Sequence, residues 1–106
     1  MARITYVEHS GETHAVEVSP GFTVMEGAVW NDIRGIYADC GGDGGCATCH
    51  VYVEKQWLER VGARSSKEAK TLRFALDVRE NSRLSCFIEV SDHLDGLVVH
   101  MPRRQF

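Results

Sequence analysis

Three cysteines, Cys40, Cys46 and Cys49, fall within ten residues in the run Asp39-Cys40-Gly41-Gly42-Asp43-Gly44-Gly45-Cys46-Ala47-Thr48-Cys49-His50. The fourth and last cysteine, Cys86, stands far along the chain. The spacing is C-x5-C-x2-C, a long gap, then C. Four thiolates can hold one iron–sulfur cluster with no cysteine left over. The glycines support that chemistry. Gly41, Gly42, Gly44 and Gly45 permit tight turns and close backbone approach, and such a loop can aim N–H groups at a negatively charged guest.

Other readings of the same residues compete. A structural zinc site could use all four cysteines, although zinc ligands usually come as two separated C-x2–4-C pairs. Disulfides suit secreted, cysteine-dense chains, and this chain is neither cysteine-dense nor headed by a secretory segment. A thioredoxin-like Cys46-Ala47-Thr48-Cys49 leaves Cys40 and Cys86 unexplained. Carboxylates at Asp39 and Asp43 are not needed once four thiolates are in place. His50 follows a candidate ligand directly, but a Rieske centre needs two histidines in place of two cysteines. A structural hydrogen bond is the expectation for His50.

The run Cys40-Gly41-Gly42 to Cys46-Ala47-Thr48-Cys49-His50-Val51-Tyr52-Val53 resembles the adrenodoxin/putidaredoxin-type ferredoxins. So do Asn81-Ser82-Arg83-Leu84-Ser85-Cys86 and Leu94-Asp95-Gly96-Leu97-Val98-Val99, and the resemblance covers almost the whole chain. It implies an α+β, β-grasp fold with one 2Fe-2S cluster held by Cys40, Cys46, Cys49 and Cys86. It also implies a one-electron carrier, not itself an enzyme, between an NAD(P)H-dependent flavin reductase and a cytochrome P-450. A Rieske-type ring-hydroxylating dioxygenase or an iron–sulfur assembly system is the alternative recipient.

The remaining elements must position those cysteines. Ile4–Val7 and His14–Val18 alternate apolar and polar residues around a Gly11 turn and predict a hairpin over residues 3–18. Thr23 and Glu26 form a capping-box signature before a helix over 24–31, with Met25 and Trp30 read as packing residues. Asn31–Gly35 leads into the cysteine loop, and Val51–Val53 leaves it as a strand. A short helix over 55–61 ends at Gly62. Ser65 and Glu68 repeat the capping box, and Ala69, Leu72, Leu76 and Phe74 or Ala75 are the expected buried stripe. Cys86–Val90 reads as a strand beginning at the fourth ligand, followed by a turn over 92–96 and a last strand over 97–101 ended by Pro102. Arg103–Phe106 reads as a tail. His9 and His14 read as solvent-facing hairpin residues, with no other ligand type spaced with them.

At 106 residues the expectation is one domain, 1–106. With 43% hydrophobic and 25% charged residues, disorder is excluded. No apolar run approaches the ~18 residues of a membrane-spanning helix. The first residues begin directly with a strand pattern, so a monomeric, cytoplasmic protein away from membranes is expected.

The net charge of −3 hides a segregation. Residues 55–83 hold eight Lys/Arg against four Asp/Glu, while the rest holds four against eleven. Lys67, Lys70 and Arg73 follow helical spacing. They are a solvated face or a docking patch for an acidic partner, where complementary charge raises association rate and selects partners. The resembling ferredoxins carry an acidic stretch here ending in a Met-Leu-Asp-Phe-Ala-like run; this chain has Thr71-Leu72-Arg73-Phe74-Ala75 after Lys70. Nucleic acid is not an expected partner, because the basic region is small and Trp57 and Phe74 read as core residues, not stacking platforms.

Overall fold

The computed structural model describes residues 1–33 and 49–103. Strands β1 (Ala2–Val7) and β2 (Thr13–Val18) form the expected antiparallel hairpin, in register from Ala2 opposite Val18 to Val7 opposite Thr13. Strand β3 (His50–Val53) lies antiparallel to both β4 (Ser82–Leu84) and β5 (Val98–His100), and β5 runs parallel to β1. The sheet order is β2-β1-β5-β3-β4. This mixed sheet with helices α1 (Val24–Trp30), α2 (Leu58–Val61) and α3 (Ser66–Leu72) is the expected α+β, β-grasp arrangement.

Period-two alternation decides which face of the hairpin is covered. Ala2, Ile4 and Tyr6 point inward from β1 and are fully buried, while Arg3 faces solvent. Helix α1 lies on this face through Val24, Met25 and Ala28. It sits close because Gly27 has no side chain: a Cβ there would stand 2.6 Å from Val18 Cγ2 and 2.7 Å from the Tyr6 hydroxyl. That hydroxyl donates to the Val24 carbonyl at 2.7 Å, giving a buried phenol its partner. Trp30, expected to pack, is instead 59% exposed and meets Phe22 edge to face at the surface. It ends the helix two residues past Ala28, the last of the sheet-facing residues.

The segment over 55–61 begins with a 3-10 turn (Lys55–Trp57), passes into α2 and stops at Gly62, whose φ of 82° suits glycine. Helix α3 is shorter than its apolar pattern suggests. It ends at Leu72, with Arg73 as its C-cap. Glu68, Thr71 and Leu72 are its buried residues; Ala69 is exposed and Phe74 is 78% exposed. Contrary to expectation, Ala69 lies on the exposed side of α3, and Phe74 turns outward because the helix ends at Leu72; of the alternatives Phe74 and Ala75, it is Ala75 that packs against Leu72 and Leu84.

Candidate functional site

Cys49 is fully buried and immediately precedes β3. Cys86 is not at the start of a strand, contrary to expectation. It lies in a 3-10 turn, Ser85–Phe87, directly after β4. The Cys49 carbonyl explains the turn: it accepts from both the Ser85 N–H and the Ser85 hydroxyl, each at 2.8 Å. The strand pair brings these segments together with His50 opposite Leu84. Two cysteines remote in sequence are thus held at the same end of one ladder. Cys86, half-buried, packs against both the main core and a smaller apolar group formed by Leu72, Leu84, Ala75 and Phe87. Cys40, Cys46, the loop glycines, Asp39, Asp43, Thr48 and Phe106 lie outside the described residues.

Side chains around this pair are locked by hydrogen bonds. His50 is fully buried, and its Nε2 lies 2.8 Å from Ser82 Oγ on the neighbouring strand, the structural role expected of it. Ser82 Oγ also accepts from the Arg79 N–H at 2.7 Å. Burial, helped by the nearby positive charges of Arg64 and Arg79 and opposed by Asp77, lowers the His50 pKa to about 4, so the ring is neutral at pH 7. The Tyr52 hydroxyl donates to the Asp77 carbonyl at 2.7 Å, and the Arg79 guanidinium stacks over the Tyr52 ring at 4.5 Å. These contacts tie the 77–82 segment to β3.

Glu68 forms a second lock that the sequence did not announce. Ser65 caps α3 by accepting from the Glu68 N–H at 3.1 Å, as the capping signature predicts. The Glu68 carboxylate does not complete the box. Its Oε2 accepts from Arg83 Nε at 2.6 Å and from the Leu84 N–H at 2.8 Å. Arg83 also donates to the carbonyls of Val61 and Gly62, at 3.3 and 2.8 Å. One buried ion pair therefore fastens α3, the end of α2 and the strand leading to Cys86. The capping pattern could suggest only a local role for Glu68; nothing in the spacing pointed to Arg83.

Away from this region, the hairpin brings one ligand atom each of Glu8, Glu12 and His14 within 4.8 Å of one another, so His14 does have other ligand types beside it. Its Nε2 pairs with the Glu8 carboxylate at 2.5 Å.

Sulfur donors presented from two separate segments, one buried and one at the edge of an apolar cluster, suit a thiolate-bound metal group. Comparison with known proteins decides which. Residues 7–91 match the family of 2Fe-2S iron–sulfur cluster binding domains. The chain belongs to that family. It is 46% identical over 100 residues to the 2Fe-2S ferredoxin CtmE of Castellaniella defragrans, covering 94% of each chain. It is 46% identical to rhodocoxin of Rhodococcus erythropolis, covering 99% of each. Against putidaredoxin of Pseudomonas putida the identity is 40% with full coverage of both chains. A solved structure of a putidaredoxin variant superposes with a TM-score of 0.96, covering 99% of this chain and all of that one. The putidaredoxin in a covalent putidaredoxin reductase–putidaredoxin complex superposes at 0.92, with 41% identity, 97% of this chain and all of that one. This ferredoxin is thus of the adrenodoxin/putidaredoxin type and carries one 2Fe-2S cluster. The zinc reading is set aside.

Lys67, Lys70 and Arg73 are all exposed along α3 and its C-cap. Among the described residues, no helix is long and apolar enough to cross a membrane.

Proposed function

We propose that residues 1–106 form a single ferredoxin domain in which Cys40, Cys46, Cys49 and Cys86 together hold the 2Fe-2S cluster. It passes electrons from an NAD(P)H-dependent flavin reductase to a cytochrome P-450. The observation that carries the reading is the double hydrogen bond from Ser85 to the Cys49 carbonyl, which sets the turn of Cys86 against the exit of the cysteine loop. The bound cluster supplies a site that gains and loses one electron at a time. The chain's own residues supply the rest. Ser82 and His50 fix the start of β3, Glu68 and Arg83 fix the strand before Cys86, and Lys67, Lys70 and Arg73 present positive charge to an acidic partner. The reductase as donor is supported by the likeness to putidaredoxin in its covalent complex with putidaredoxin reductase. The P-450 as recipient follows from the resemblance of the motifs.

Anaerobic mixing of the holoprotein with NADH or NADPH and a flavin-dependent ferredoxin reductase tests the carrier. Bleaching of the visible cluster bands and a one-electron EPR signal are the expected result. A protein that stays oxidised with every such reductase, yet is reduced by dithionite, would overturn the donor. Single Cys→Ser replacement at each of the four positions is expected to lose or alter the spectrum; an unchanged spectrum at any one removes that residue from the ligand set.

A further inference from the structure

The basic face of α3 borders an apolar groove. The groove has a volume of ≈ 460 Å³ and is lined by Arg64, Ala69, Leu72, Arg73, Ala75 and Val78. Four of these side chains are aliphatic and two are cationic. Arg64 is fixed in the wall, because its guanidinium donates to the carbonyls of Arg79 and Glu80 at 3.0 and 2.8 Å. Arg73 and Lys70 are exposed beside it. Phe74, 78% exposed, and Val78, 42% exposed, extend the apolar surface out of the groove. Single exposed hydrophobics are ordinary. Here an aromatic and a valine adjoin an apolar groove bordered by Arg64, Lys70 and Arg73, a combination that favours a partner of opposite charge with an apolar anchor.

The position of the groove matters as much as its chemistry. Leu72 is buried with Leu84, and Ala75 and Cys86 pack on that pair. The groove floor and the fourth cysteine therefore share one small apolar group. A segment seated in the groove touches Leu72 and Ala75, which belong to the apolar group on which Cys86 packs.

We infer that this groove takes one apolar side chain from an acidic segment of the electron-transfer partner, with the flanking carboxylates on Arg64, Lys70 and Arg73. The inference rests on the carrier reading above and adds a specificity element to it. Charge on α3 steers the partner and sets its encounter rate, whereas the aliphatic floor distinguishes a segment with an anchor from one without. Asp77 and Glu80, exposed in the segment that supplies Val78 to the groove and a carbonyl to Arg64, are the neighbouring acidic groups and disfavour a carboxylate set against that segment.

Two synthetic peptides of equal charge test the groove against the holoprotein: acetyl-Glu-Asp-Leu-Asp-Glu-amide and its counterpart with serine in place of leucine. Binding is followed by the methyl resonances of Ala69, Ala75 and Val78 at low salt. The leucine peptide is expected to bind at least about ten-fold more tightly, the lower end of the scale for burying one aliphatic side chain, and to shift those methyls. Ala69→Glu, on the exposed side of α3, is expected to erase the difference between the peptides. Lys70→Glu/Arg73→Glu is expected to weaken both. Equal affinity of the two peptides for the wild type, or shifts that map elsewhere, overturns the groove. Failure of the carrier reading registers separately, as a cluster that no flavin reductase reduces, and leaves the peptide comparison readable.

Discussion

At the start of α1, Thr23 and Glu26 satisfy each other: the Glu26 N–H donates to Thr23 Oγ1 at 3.1 Å, and the Thr23 N–H donates to the Glu26 carboxylate at 2.9 Å. At the start of α3, Ser65 and Glu68 begin the same exchange and leave it half made, because the Glu68 carboxylate turns to Arg83 and the Leu84 N–H. Both helices have seven residues. In α1 the acid is partly buried and its work is local. In α3 it is 1% exposed and holds a helix that carries the basic face to the strand that leads to Cys86. The difference teaches that a local signature names a helix start but not the partner of its last side chain. A carboxylate beside a buried guanidinium is held by the stronger, charge-assisted bond.

Removing the acid from each helix should break the comparison most sharply. Glu68→Ala leaves Arg83, 5% exposed, without its counter-charge, and should cost about 3–5 kcal/mol. Glu26→Ala removes one partly buried cap hydrogen bond and should cost about 1 kcal/mol. Melting of the holoprotein, followed by the visible cluster bands, checks both. Similar losses would mean that the Glu68 pair adds nothing beyond a cap. Replacing both partners, as in Glu68→Met with Arg83→Leu, should recover much of the loss, since the uncompensated charge is gone.

A methyl group probes how tightly α1 is seated. Gly27→Ala forces a contact on Val18 and the Tyr6 hydroxyl and should cost about 1–3 kcal/mol. Ala69→Ser on the exposed side of α3 should change stability by less than about 0.5 kcal/mol. Equal effects in denaturant titrations would show that α1 shifts outward freely.

Acid should act through His50, on the β3–β4 side of the molecule. Its pKa is lowered to about 4 in the fold, below the ordinary value of 6.5, so between these values the unfolded chain binds more protons. Stability contributed by the neutral ring is intact above about pH 6.5 and is lost as the pH falls toward 4, by about 2 kcal/mol at pH 5. Replacing His50 by Gln should flatten that slope; an identical pH profile for both proteins would place the acid sensitivity elsewhere. A modest effect is expected at the caps themselves, where Thr23→Ala and Ser65→Ala should each cost about 1 kcal/mol in the same melts. A much larger loss for Ser65→Ala would mean that its hydroxyl also supports the Glu68–Arg83 pair.

Legibility in the sequence followed the range of the interactions. The hairpin, the start of α1, the stop at Gly62 and the last strand were all readable, because alternation, capping residues and a glycine after a helix act within a few residues. The region after Ser65 was harder. An apolar pattern through Phe74 and Leu76 suggested a longer helix, but the helix ends at Leu72 and Phe74 faces solvent. Of the strand expected from Cys86 to Val90, the first two residues lie in a 3-10 turn because a carbonyl at Cys49 captures Ser85, a contact no local pattern contains, while Glu89 makes an isolated antiparallel bridge with Thr23.

By itself, then, the sequence narrowed the guest to a thiolate-bound metal group. Thiol count, cysteine spacing and the glycine-rich loop are covalent facts that limit which metal group can be held, and the family match agrees with them. It also determined the sign of the charge on α3, since Lys67, Lys70 and Arg73 carry that charge wherever they lie. Tertiary structure decided what those groups stand beside. It turned Glu68 from a cap into the anchor of Arg83, made His50 a neutral buried ring and moved Phe74 from core to surface. Burial and ion pairing depend on neighbours that are remote in sequence, and their energies arise only when folding removes water from between them.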